Sequence, residues 1–235
     1  MLDLASFESV KAAVRKFEHL ESEYAGSRDA TPRLDTLVNN AGIMMTAEGL
    51  TKDGYELQFG TNFMGHALLT QLLLPALRRA AKPRIVWVSS AMEKIAPNDI
   101  YDFDELKTNM EDRNTIIRYA FSKMASIYYA AAMAEVYTGV ESVVIEPGKV
   151  ATNLHQNASS FALKLALTVL GWFIAVPTEK GVLNHLWAAV STDAKSGMFY
   201  APVGILGTGS SLSRNEEMRD RLWDWTQKEL QSHLH

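Results

Sequence analysis

The chain has 235 residues, no cysteine, 27 acidic and 23 basic side chains, and a net charge of −4. These totals exclude disulfides, thiolate metal sites and cysteine nucleophiles, and they leave no basic footprint for nucleic acid. With 47% hydrophobic content, the length suits one domain around one large core.

The opening Met-Leu-Asp-Leu-Ala-Ser-Phe-Glu is acidic and amphipathic rather than a basic then apolar leader, so a cytoplasmic protein is expected. Phe7, Val10, Val14, Phe17 and Leu20 recur at helical spacing, which predicts a helix over 6–24 with Ser6 as its N-cap. Pro32 introduces an apolar strand over 33–38, closed by Asn39-Asn40-Ala41-Gly42. Residues 61–81 read as a long helix with Asn62 at its start, bent or shortened by Pro75. Pro83 introduces a strand over 84–88, followed by Ser89-Ser90. The stretch 92–118 is acidic and reads as irregular.

A helix over 115–137 carries Tyr119 and Lys123, and a strand over 142–146 ends at Pro147-Gly148, with Val150 and Thr152 just beyond. Residues 161–176 are apolar apart from Lys164, Thr168 and glycine. They fall short of the ~20 residues that cross a bilayer, so a buried helix is favoured over membrane attachment. A helix over 178–190, a strand over 197–201 and a charged helix over 215–230 complete the chain. Continuous apolar strands alternating with helices indicate an α/β, doubly wound parallel sheet in a single domain.

Tyr119 and Lys123 stand four apart, so on a helix they share one face. A phenol titrates near ~10, and a cation one turn away lowers that value until the phenol serves as an acid or base. Alone, the pair reads more simply as an aromatic core contact beside a solvated lysine. Taken in order with Asn39-Asn40-Ala41-Gly42, Asn62, Ser89-Ser90 and Pro147-Gly148, it resembles the short-chain dehydrogenase/reductase family over almost the whole chain. The acidic stretch before Tyr119 is similar to that of the retinol-dehydrogenase-like branch.

The resemblance implies a Rossmann-like oxidoreductase that interconverts an alcohol and a carbonyl, in a biosynthetic or detoxifying pathway. It implies NADP or NAD as cofactor, with NADP favoured, and no metal. Tyr119 would be the acid/base, and Lys123 would lower its pKa and bind the nicotinamide ribose. Ser90, in preference to Ser89, would hold the substrate oxygen, and Asn62 would anchor a water in a proton relay. Asp3 would meet the adenine, Asn40, Ala41 and Gly42 the adenine ribose, and Val150 and Thr152 the carboxamide and a nearby phosphate. The apolar 161–176 stretch, a flap in the family, suggests a lipophilic small-molecule substrate. Pairing of 61–81 and 115–137 would give a homodimer.

Family members carry a first strand and a Gly-rich turn ahead of the motif at Asp3-Leu4. Two strand–helix units, about 50–60 residues, are therefore expected to be missing, leaving the sheet incomplete at the N-terminus and strand 33–38 with an open apolar edge. The glycines Gly204, Gly207 and Gly209 do not replace that turn, because Leu212 occupies the third glycine position. The alternative reading is a truncated, non-catalytic remnant acting through helix-mediated dimerisation. A hydrolase is disfavoured, since no Gly-x-Ser-x-Gly elbow is present. Without backbone donors for the pyrophosphate, this polypeptide should bind NADPH weakly; a fluorescence titration giving micromolar affinity contradicts that.

Overall fold

The computed structural model describes residues 1–24, 31–98, 101–148, 178–207 and 209–234. Helix α1 (Phe7–Tyr24) starts where the Asp53 carboxylate accepts from the Phe7 N–H at 2.8 Å and the Ser6 hydroxyl accepts from the Ser9 N–H at 3.3 Å. Strand β1 spans Thr36–Asn39. The next helix begins earlier than residue 61, because the buried Glu56 carboxylate accepts from the Phe59 N–H at 2.6 Å and caps it. It runs as α2 (Leu57–Phe59), a π turn (Gly60–Met64) and α3 (Gly65–Leu77). Pro75 lies inside α3, which stops two residues later, short of residue 81.

Strand β2 (Arg84–Val88) leads into a 3₁₀ turn (Ala91–Ile95) and a second one (Glu105–Lys107). Helix α4 (Thr115–Val136) is capped by Asn114, whose side-chain oxygen accepts from the Ile116 and Ile117 N–H groups at 3.0 Å each. Strand β3 (Glu141–Ile145), helices α5 (Thr178–Gly181) and α6 (Leu183–Val190), strands β4 (Phe199–Ala201) and β5 (Ile205–Leu206), and helix α7 (Glu216–Leu230) follow.

Strands β1 to β4 pair in parallel in chain order, with β1 at one edge. The expected all-parallel sheet gains an antiparallel edge strand, β5, which turns back on β4. Side-chain alternation sends Ile85, Trp87 and Val144 towards the core shared with α3 and α4, while Val86, Val88, Val143 and Ile145 pack with Ala188 of α6. The sheet is thus covered on both faces, as a doubly wound α/β fold requires. Val38, on the β1 edge, is 39% exposed. Among the described residues no helix is long and apolar enough to cross a membrane.

The acidic stretch before α4 is not a surface appendage. Tyr101, Leu106 and Met110 are buried in the main core, and the Tyr101 hydroxyl donates to the Phe121 carbonyl at 2.6 Å. Phe103 stacks on Trp225 of α7 with ring centroids 5.2 Å apart.

Residues 118–130 of α4 are buried throughout, with Leu222 and Leu230 of α7 in the same core cluster. No large apolar side chain is exposed on α3, nor on α4 before Val136. Within the chain, α4 is thus packed against the sheet and α7.

Arg118, next to Tyr119, is as buried as Glu56, and its Nη1 lies 3.3 Å from Glu56 Oε1. Burial pushes the Glu56 carboxyl up, against the N–H groups of Phe59 and Gln58 and the Arg118 guanidinium, which favour its charge. Removing the cation leaves a buried charge unpaired. Arg118→Ala should therefore cost about 3–5 kcal/mol in urea unfolding; a loss under about 1 kcal/mol contradicts the pairing.

Candidate active site

The carboxyl ends of β1 and β2 and the middle of α4 converge on Lys123. Its ammonium is buried, donates to the Val88 carbonyl at 2.9 Å, and stands 5.5 Å from the centroid of the Tyr119 ring. Burial pulls the lysine down from 10.5 to about 8. The Tyr119 phenol moves the other way, pushed up to about 12 by burial, while hydrogen bonding from the Ser90 hydroxyl opposes the rise. In this structure desolvation dominates the phenol, and the group opposing it is Ser90.

The two serines have different surroundings. The Ser89 hydroxyl is buried and donates to the Lys123 carbonyl at 2.9 Å, joining β2 to α4. Ser90 is half-buried at the start of the 3₁₀ turn, where its oxygen accepts from the Met92 N–H at 3.2 Å beside the Tyr119 phenol.

Asn62 lies within the π turn. Its Oδ1 accepts from the Ile43 N–H at 2.8 Å, and its Nδ2 donates to the Ile43 carbonyl at 2.9 Å and to Ser122 Oγ at 3.0 Å. Ser122 in turn donates to the Tyr119 carbonyl at 2.7 Å. The Asn62 side chain is thereby committed to clamping the loop after β1 onto α4. Its backbone carbonyl pairs with His66 Nδ1 at 2.9 Å. A carbonyl only accepts, so Nδ1 carries the proton of a neutral ring. His66 is pushed down to about 4 by burial, with the Lys123 charge adding to the effect.

Gly42 passes close to this group. A Cβ there would lie 3.1 Å from Asn62 Oδ1 and 3.7 Å from Lys123 Nζ. Asn40 and Ala41 are exposed at the end of β1, with Asn40 Oδ1 3.0 Å from His185 Nε2 of α6. Asp3 is exposed before α1; its carboxylate accepts from the Ala5 N–H at 3.0 Å and stands 3.7 Å from Lys52 Nζ. These contacts do not join Asp3 to the Tyr119 group. Val150, Thr152 and the apolar 161–176 stretch lie outside the described residues.

The sequence reading passed over Gln58, His66, Ser122 and three methionines. Met44, Met45 and Met92, with Ile116, pack around Tyr119. A signal was present in the spacing. Gln58, Asn62, His66 and Thr70 recur every fourth position in a largely apolar helix, and a buried polar stripe of that kind must find partners. It finds them along the loop leaving β1: Thr70 meets Asn39 at 2.9 Å, Asn62 holds Ile43, and Gln58 Oε1 accepts from the Met45 N–H at 3.0 Å.

A parallel sheet with a Ser–Tyr–Lys group at its strand ends defines a Rossmann-type fold with an acid/base centre where such sheets bind ligands. A family model described as short chain dehydrogenase matches residues 3–100. A short-chain dehydrogenase/reductase of Aspergillus calidoustus is 32% identical, over 97% of this chain and 75% of its own length. Human retinol dehydrogenase 14 is 37% identical, over 95% of this chain and 63% of its own. The solved structure of an uncharacterised protein from Mycobacterium paratuberculosis superposes with a TM-score of 0.69 at 26% identity, covering 98% of this chain and 74% of the other. The chain belongs to the short-chain dehydrogenase/reductase family, on its retinol-dehydrogenase-like branch. It spans 56% and 75% of the lengths of two curated relatives it matches.

Lys123 yields a stability test. The unfolded chain holds the lysine proton up to about 10.5, the folded chain only to about 8. The desolvation cost is therefore fully present below pH 8 and disappears as pH rises to 10.5, so this residue's contribution to stability grows with pH across that window. Lys123→Met should stabilise the fold by about 1–3 kcal/mol at pH 7. The gain should shrink across pH 8 to 10.5 in urea titrations; a pH-independent gain, or none, contradicts the assignment.

Proposed function

We propose that the chain carries the catalytic centre of an NAD(P)-dependent oxidoreductase interconverting an alcohol and a carbonyl on a lipophilic small molecule. The observation that carries this reading is the Ser90 hydroxyl beside the Tyr119 phenol, with the buried Lys123 ammonium 5.5 Å from the same ring.

The donor set fits a nicotinamide nucleotide. Gly42 lets the backbone pass beside Lys123, and Asn40 and Ala41 lie exposed at the adjoining strand end. Lys123 would hold the nicotinamide ribose, and Asn40, Ala41 and Gly42 the adenine side. The nucleotide, NADP or NAD, supplies or takes up the hydride when bound.

The chain's own residues manage the oxygen and its proton. Ser90 holds the substrate oxygen by hydrogen bonding. In reduction Tyr119, protonated at neutral pH because its phenol lies near 12, gives its proton to the nascent alkoxide. In oxidation Tyr119 must accept the hydroxyl proton, which requires the Lys123 charge to act on the phenol more strongly than it does while committed to Val88. The methionines around Tyr119 suit a lipophilic substrate, since thioether side chains adapt to irregular apolar shapes. Retinol, named in the human relative, is one such alcohol.

The test is a panel of aliphatic, aromatic and isoprenoid carbonyls assayed with NADH and with NADPH. Tyr119→Phe should lower kcat by about 10²–10⁴-fold while leaving the melting temperature unchanged within a few degrees. An active preparation that tolerates the substitution overturns the acid/base role of Tyr119.

A further inference from the structure

Loop 43–46 forms one wall around Tyr119, and it is not self-supporting. Met45 has φ of 58°, a left-handed conformation that a side chain other than glycine adopts only when held there. Beyond the Asn62 clamp on Ile43, the loop has two further ties. Arg118 Nη2 and the Thr115 hydroxyl donate to the Thr46 carbonyl at 3.2 and 3.0 Å. Gln58 supplies the other tie, and it reaches both sides. Its Oε1 accepts from the Met45 N–H at 3.0 Å, and its Nε2 donates to the Thr115 carbonyl at 2.9 Å and hydroxyl at 3.1 Å.

Thr115 begins α4 one turn before Tyr119, on the same face. Gln58 therefore couples the strained residue of the methionine wall to the helix turn that aims the phenol. A side-chain amide suits this position because it accepts from an N–H and donates to a carbonyl at once; a carboxylate lacks the donor and an alkyl chain lacks both. The residue is 0% exposed, so water does not replace it.

We propose that Gln58 is a positioning residue that sets substrate discrimination, by fixing the Met44–Met45 wall at a constant distance from Tyr119. The proposal rests on the oxidoreductase reading above. Methionine is unbranched and flexible, so a wall made of it selects by shape only if its backbone is held. With the Gln58 link cut, the loop relaxes, the wall admits branched substrates more readily, and it grips unbranched ones less.

The experiment compares the full chain with Gln58→Met, which keeps length and removes all three hydrogen bonds. The ratio of kcat/KM between unbranched and α-branched ketones of equal carbon number should move towards unity by about tenfold or more. Amide hydrogen exchange at Met45 should quicken by about tenfold or more, while Ile43, held by Asn62, exchanges as before. Thr115→Val, which removes one Gln58 acceptor and the second tie on Thr46, runs alongside as the milder variant and should shift the ratio in the same direction. It serves as the test if Gln58→Met does not fold. A uniform fall for all ketones with the ratio intact, or unaltered Met45 exchange, overturns the proposal. If the parent chain reduces no ketone with either nucleotide, the oxidoreductase reading fails on its own. The exchange measurement then decides whether Gln58 places the loop.

Discussion

A charged amine seated in an apolar interior governs this structure. Lys123 has one carbonyl partner, Val88, and is otherwise enclosed by the helix that carries it and the loop after β1. The desolvation that drags it down to about 8 also keeps Tyr119 protonated, near 12, and its charge helps hold His66 neutral. An environment so unfavourable to charge persists only if the surrounding packing is secure. That explains why α4 is buried without a break over 118–130, bounded by the sheet, by α7 and by the Tyr101–Met110 segment.

The same constraint orders the neighbouring helix. Where the backbone after β1 turns beside Lys123, its N–H and carbonyl groups lose water and need partners from the protein. Gln58 and Asn62 meet this need from an α–π–α helix, while Thr70 holds the Asn39 side chain and His66 takes up the Asn62 carbonyl. The π turn at 60–64 falls where Asn62 clamps Ile43 and where the Asn62 carbonyl is taken up by His66. Polar residues that look like interruptions of an apolar run are therefore what allow a loop to lie against a buried charge.

How much of this was legible follows from the physics of each signal. Strand 84–88 was readable because Pro83 marks its boundary through local backbone chemistry. The Tyr119–Lys123 spacing was readable because helical geometry alone places both side chains on one face. The helix start at Leu57 was not, because Glu56 caps it from a buried position that requires Arg118 from a distant part of the chain. Nor could spacing foretell the sense of the Tyr119 shift: proximity to a cation is local, whereas desolvation depends on what folds over the pair. The burial of Tyr101, Leu106 and Met110 escaped for a related reason, since two of them, Tyr101 and Met110, have positive φ and the segment has no period to read.

Glycine shows how one residue type divides between these roles. Gly204 and Gly207 form part of the β4–β5 hairpin, and a Cβ at Gly204 would stand 2.5 Å from the Trp187 indole, one at Gly207 2.9 Å from the Phe199 ring. Their absent side chains make room for aromatic packing, so their resemblance to a nucleotide-binding turn ends at composition. At Gly42 the same absence brings the backbone beside an amide oxygen and an ammonium at the end of a parallel strand. A sequence pattern records only that the backbone must be approached closely. Whether the approaching group is a ring or a charge decides between a packing contact and a site, and here the charge is the one on Lys123.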